Sequence, residues 1–225
     1  MKDDDLRHGH RERLRKKFLS SGLKALHDYE ALELLLTFAI PRRDVKPIAK
    51  QLLKHFGDFT SIFDASPEEL QKIGGLGENS IVLMGLLREL CAEYLAATMK
   101  SKDVVSSPDA AADFARMKLG GMKKETLLII FLDAKNQVIN YDLRAGTVDR
   151  TNVYPRDVIQ RCLEVHAVSF LLAHNHPSGD CEPSPQDIAI TKTLSSAAET
   201  VGIRLLDHMI VSRSSHVSLA QRKLF

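Results

Sequence analysis

The chain has 225 residues, 44% of them hydrophobic, which is enough to bury a core without disulfide or metal staples and falls in the range of one or two domains. Basic side chains number 31 against 29 acidic ones, and the net charge of +2 gives no global reason to expect a nucleic-acid partner. Three widely spaced cysteines (Cys91, Cys162 and Cys181) argue against a disulfide framework and a thiolate zinc site, and no apolar run is long enough to cross a bilayer. The opening Met1-Lys2-Asp3-Asp4-Asp5 is too acidic for a secretory signal, so a cytoplasmic setting without membrane contact is the expectation.

Residues 1–100 read as an all-helical domain, with apolar positions at helical spacing in 23–39, 48–56 and 81–95. Pro41 breaks the first of these stretches and Pro47 suits the start of the next helix. The 7–24 segment holds seven basic residues against the single acid Glu12, a cluster that fits either a phosphate-facing surface or a solvated helix face. Ser66-Pro67-Glu68-Glu69 is a helix start, with a serine N-cap, proline at the first helical position and glutamate at the third. The stretch 70–81, with Gly74-Gly75-Leu76-Gly77 at its centre, resembles a helix-hairpin-helix. Gly75 and Gly77 allow a tight turn, and with Lys72 they are the candidate contacts for a DNA phosphate, held weakly and without reading sequence. Glu78 beside the turn and Ser80, where alanine is common in that motif, depart from it, and a plain helical hairpin that only packs is the other reading.

The pattern changes at a polar stretch, 101–108, read as a linker to a second domain over 101–225. Helices are expected at 108–118, 155–165 and 185–201, and strands at 126–132, 137–143, 167–173 and 203–212, with a turn at Asp133-Ala134-Lys135-Asn136. Strands separated by helices indicate a layered α/β or α+β domain.

The chemistry-bearing pattern is His174-Asn175-His176-Pro177 followed by Ser184-Pro185-Gln186-Asp187. Alternate residues of a strand share a face, so two histidines spaced in this way at a strand end aim at one point. Asp187 falls in the first turn of the next helix, where a short loop returns it to the strand end. Neutral imidazoles and a carboxylate are zinc ligands, and three of them leave a position for water. His174, His176 and Asp187 are therefore the candidate ligands of one zinc ion per chain. Glu125, at the start of the 126–132 strand, is the candidate general base, and Ser184 the candidate donor to an oxyanion. Cys181 lies in the same loop with an incidental role, and His208 reads as a core histidine rather than an orienting one.

The H-x-H-P, six residues, S-x-x-D spacing resembles the signature of JAMM/MPN+ metalloproteases, which place a glutamate upstream as Glu125 is placed, 49 residues before His174. Flanking words are similar to the bacterial RadC family: Phe131-Leu132-Asp133, Tyr154-Pro155-Arg156, Leu206-Asp207-His208, and in the front half Gly9-His10-Arg11-Glu12-Arg13-Leu14 and Ile40-Pro41-Arg42-Arg43-Asp44. The resemblance covers nearly the whole chain. It implies a C-terminal α/β/α sandwich of the cytidine-deaminase-like JAMM type behind a helical domain, and a zinc-dependent hydrolase acting on a peptide or isopeptide bond. A deaminase is disfavoured because its H-x-E and P-C-x-x-C signature is absent. A metal-dependent nuclease is disfavoured because nitrogen ligands suit zinc better than magnesium. The alternatives that stand beside the hydrolase are a non-enzymatic DNA-associated repair or accessory protein, with zinc only holding the loop, and that metal-dependent nuclease.

Overall fold

The computed structural model describes residues 2–99, 108–145, 153–213 and 215–225, and the chain divides into two compact units, Met1–Arg88 and Glu89–Phe225. Of the expected linker at 101–108, residues 101–107 lie outside the described residues and Pro108 begins a helix.

The first unit is helical. Helix α1 (Lys2–Ser21) carries six of the seven basic residues of the cluster, and a 3-10 turn (Leu23–Ala25) that holds the seventh, Lys24, separates it from α2 (Asp28–Ala39). The apolar spacing over 23–39 predicts one helix, but the chain is interrupted there: Gly22 takes φ 66°, and His27 N-caps α2 in a capping box with Glu30. Leu23 and Leu26 fit helical spacing, yet the cap decides where the helix begins. Part of the basic cluster is used internally. Arg11 donates to the carbonyls of Ile40, Pro41 and Arg43 at the end of α2, and Lys17 pairs with Glu30 at 2.6 Å. Helix α3 (Lys46–Phe56) has Pro47 in its first turn and buries Ile48, Ala49 and Leu52 against Leu32 and Leu36 of α2. Short helices α4 (Phe59–Phe63) and α5 (Pro67–Leu70) follow, the second opened by the Ser66–Glu69 capping box.

Helix α6 (Glu78–Met99) completes the hairpin with α5, which is a single turn. Gly75 has φ 92°, and a Cβ there would meet Ile48 Cδ1 at 2.9 Å and Arg43 Nη2 at 3.0 Å. The positive φ favours glycine at this turn, whereas the two side-chain ends that a Cβ would meet can shift. Gly77 has open space around it, Lys72 and Glu78 are exposed, and Ser80 is buried with no partner for its hydroxyl, an environment that suits alanine.

The second unit holds a mixed sheet, which among the described residues has five strands in the order β2-β1-β3-β4-β5. The strands are β1 (Thr126–Leu132), β2 (Val138–Ala145), β3 (Ser169–Asn175), β4 (Arg204–Val211) and β5 (His216–Ser218). Helix α7 (Pro108–Leu119) packs on one face, where Phe114, Ala115 and Leu119 meet Leu128, Ile130 and Ala173. Helices α8 (Pro155–Glu164) and α9 (Pro185–Glu199) cover the other face, where Val158, Cys162, Leu194 and Ala198 meet Leu127, Ile129, Phe131, Phe170 and Leu172. This is the expected three-layer arrangement of helix, sheet and helix. Both β1 and β3 are buried along their whole length, as central strands covered on two faces must be. The β1–β2 turn falls where Asp133 predicts it: its Oδ1 accepts from the amides of Lys135 and Gln137, and Asn136 takes φ 56°. Strand β5 is three residues of ordinary composition and carries no sequence signal.

Phe131 is fully buried beneath α8 and α9. Its replacement by alanine is expected to cost about 3–5 kcal/mol through lost transfer energy and a residual cavity, read as a lower urea midpoint at unchanged slope.

Candidate metal centre

Each side chain reaches the centre through ordinary local geometry. β1 pairs antiparallel with β3, Leu127 opposite His174, so the first residues of β1 lie beside the last residues of β3. Glu125, immediately before β1, is thereby carried next to the histidines. Asn175, the residue between them, locks this junction. Its buried amide accepts from the Thr126 N–H at 2.8 Å and donates to the carbonyls of Met122 and Lys124 at 3.0 and 3.2 Å. The clamp holds the backbone on both sides of Glu125.

Asp187 arrives through a helix cap. Ser184 is the N-cap of α9, and Asp187 is the third residue of a capping box. The Ser184 N–H and hydroxyl both donate to Asp187 Oδ2, at 2.8 and 2.6 Å, while the Asp187 N–H donates to Ser184 Oγ at 3.1 Å. Oδ2 is therefore held by the cap, and Oδ1 faces His174 Nε2 at 3.3 Å. In this arrangement the Ser184 hydroxyl proton is directed to the aspartate.

Four groups converge: one donor atom each from Glu125, His174, His176 and Asp187 lies within 4.8 Å of the others. His174 Nε2 stands 3.0 Å from His176 Nε2 and 3.9 Å from Glu125 Oε1. His176 Nδ1 lies 2.7 Å from the Asp180 carbonyl, which only accepts, so Nδ1 carries the proton and Nε2 presents a lone pair. Two ring nitrogens and two carboxylates facing one point make a donor set that fits a zinc-like cation. His174 is buried, His176 and Asp187 are partly exposed and Glu125 is exposed, so the cluster opens to solvent on the glutamate side.

Electrostatics divides the four roles. Burial, reinforced by His176 and opposed by Asp187, pushes the His174 imidazole down to about 4, which keeps it neutral. Burial raises the Asp187 carboxyl, but the Ser184 hydroxyl, the histidines and the Ser184 amide outweigh it and hold Asp187 below the ordinary carboxylate range. Crowding by the surrounding atoms, and then the Asp187 charge, hold Glu125 above that range. One carboxylate is thus kept ionised while its neighbour takes up a proton more readily.

His208 goes beyond the sequence reading, and Cys181 has the incidental place expected of it. His208 is buried as a core histidine would be, yet its Nε2 lies 2.8 Å from His174 Nδ1, and its Nδ1 is 2.6 Å from Thr191 Oγ1 on α9. Parallel pairing of β3 with β4 sets this contact, with Leu172 opposite His208. Cys181 stands outside the cluster. Its thiol contacts Ser215 and packs with Ile210 and Leu219. Asn175 and Thr191 were not singled out from the sequence, and the one signal for Asn175 was its place between the two histidines.

Two outcomes are expected from this geometry. Asn175→Ala leaves the Thr126 amide and two carbonyls without their partner and should cost about 2–4 kcal/mol, measured by urea unfolding; a loss below about 0.5 kcal/mol would mean that the clamp is dispensable. The second concerns pH. Burial also pushes His208 down to about 3. Both folded pKa values lie below the free value of 6.5, so the unfolded chain binds more protons as pH falls. Stability from these rings is complete above pH 6.5 and is lost as pH falls toward about 4 for His174 and about 3 for His208. In chelator-treated protein the His174 and His208 ring signals should stay neutral to about pH 5; titration of either near 6.5 would contradict this.

Comparison with known proteins gives the same picture for both halves. The family model described as RadC-like JAB domain matches residues 105–224, and the UPF0758 N-terminal model matches residues 8–82. A UPF0758 protein of Fusobacterium nucleatum subsp. nucleatum is 38% identical over 224 residues, covering 96% of this chain and 97% of the relative. A UPF0758 protein of Ruegeria pomeroyi is 42% identical over 210 residues, covering 93% and 94%. With a helical N-terminal unit, a mixed sheet carrying the Glu125, His174, His176 and Asp187 cluster, and both family models matched in order, the chain belongs to the RadC-like JAB domain family.

Proposed function

We propose that the protein is a zinc-dependent hydrolase of the JAMM metallopeptidase type, acting on a peptide or isopeptide bond of a peptide or protein substrate. The observation that carries this reading is the opposition of two imidazole Nε2 atoms, 3.0 Å apart, beside an ionised aspartate and a glutamate with a raised pKa. His174, His176 and Asp187 would hold the ion. A zinc ion so held supplies Lewis acidity, polarising a carbonyl and lowering the pKa of a water to about 7. Glu125 accepts the proton of the attacking water and delivers it to the departing amine nitrogen, and its raised pKa suits both halves of that transfer. Ser184 supports the oxyanion by turning its hydroxyl from Asp187 Oδ2 toward the substrate oxygen. The exposure of Glu125 provides the approach, since substrate and water enter from that side.

Elemental analysis of protein purified without chelator is expected to find about one zinc per chain in the wild type and none in Asp187→Ala. Folded wild type that stays metal-free after zinc addition would end this reading. Cleavage of a library of linear and branched peptides tests the chemistry. Glu125→Gln should keep its zinc and lose turnover by at least about 100-fold, and full activity in that variant would remove Glu125 as the base.

A further inference from the structure

A row of five polar contacts crosses the centre. It runs from the Asp187 carbonyl to Thr191 Oγ1, from Thr191 Oγ1 to His208 Nδ1 (2.6 Å), and from His208 Nε2 to His174 Nδ1 (2.8 Å). It continues from His174 Nε2 to His176 Nε2 (3.0 Å) and ends with His176 Nδ1 at the Asp180 carbonyl (2.7 Å). Four side chains make these contacts, a hydroxyl and three imidazoles, and in the neutral form that a metal-ligating ring takes each brings one proton. One of the five contacts therefore has no hydrogen.

The ends decide which one. Both are backbone carbonyls, which only accept, so the terminal contacts take the Thr191 hydroxyl proton and the His176 Nδ1 proton. With its proton on the Asp187 carbonyl, Thr191 Oγ1 accepts from His208 Nδ1–H. His208 Nε2 is then bare and accepts from His174 Nδ1–H. The contact left without a proton is His174 Nε2 to His176 Nε2, two lone pairs face to face, and it is the one bordered by the Asp187 and Glu125 carboxylates. Thr191 is fully buried and His208 and His174 nearly so, which keeps bulk solvent out of that part of the row, while the His176 end is open to it.

We propose that Thr191 and His208 are positioning residues, a relay that keeps the His174 proton on Nδ1 and so turns its Nε2 lone pair toward the cation. The Asp187 backbone starts the relay and the Asp187 side chain faces the same ion, so one helix turn orients two ligands at once. The relay rests on the zinc-centre reading, because a cation is what the protonless contact serves. Thr191→Val preserves shape and removes the hydroxyl, Thr191→Ser restores it, and His208→Leu removes the acceptor for His174.

The experiment combines nitrogen-15 NMR of the His174 and His208 rings, with and without zinc, and zinc affinity by competition with a chromophoric chelator. Both rings are expected as Nδ1–H in the wild type. Zinc binding should weaken about 10- to 100-fold in Thr191→Val and His208→Leu and return to near wild type in Thr191→Ser. Melting curves separate misfolding from loss of affinity, and if His208→Leu fails to fold, the near-isosteric Thr191→Val decides. Nε2–H rings in the wild type, or a folded Thr191→Val with unchanged tautomers and affinity, would overturn the relay. Wild type that binds no zinc would overturn the metal reading instead, while the same spectra still judge the relay.

Discussion

Six residue pairs join β1 to β3 in antiparallel register, and the candidate centre depends on that register. A slip of one residue would turn His174 to the opposite face of the sheet, toward α7, and carry Glu125 away from it. The hydrophobic alternation resists such a slip, because Leu127, Ile129 and Phe131 pack under α8 and α9 while Leu128, Ile130 and Leu132 pack under α7. Asn175 adds a polar lock at the end of the ladder, where apolar packing gives way to the site. An amide buried between strand and loop is costly in any register that leaves it unpaired, so it favours the one that satisfies it.

The second support is the start of α9. Ser184 and Asp187 do what a capping box does at many helices, satisfying backbone donors that the helix leaves open. Here the cap occupies Oδ2 and leaves Oδ1 toward His174. Fold stability and the orientation of the Asp187 carboxylate rest on the same hydrogen bonds. The resting arrangement also places a demand on the chemistry: a Ser184 hydroxyl that supports an oxyanion must first leave a carboxylate it contacts at 2.6 Å.

Burial and exposure are graded across the centre, and the grading separates function within one small cluster. His174 and His208 lie in the layer beneath α9, where a neutral ring is favoured, while Glu125 stands at the open edge. The Asp187 charge contributes to the raised pKa of Glu125, so the two carboxylates of the cluster are set apart in part by their mutual repulsion.

The sequence by itself determined the parts whose geometry is local. Helix starts at Ser66 and Ser184, the Asp133 turn, the buried strands expected at 126–132 and 167–173 (the second found at 169–175), and the pairing of His174 with His176 all follow from repeats of two to four residues. The family resemblance placed Glu125 with them, but residue spacing alone did not. Only the tertiary structure decided that Asn175 clamps the backbone around Glu125, that His208 and Thr191 stand behind His174, that Cys181 turns away from the centre, and that the 23–39 pattern is cut by a cap at His27. The contacts at the centre join residues 49, 34 and 17 positions apart. They come from which strands pair, in which register, and which helix covers them, and a one-dimensional pattern of apolar and polar residues encodes the faces of those elements but not their neighbours.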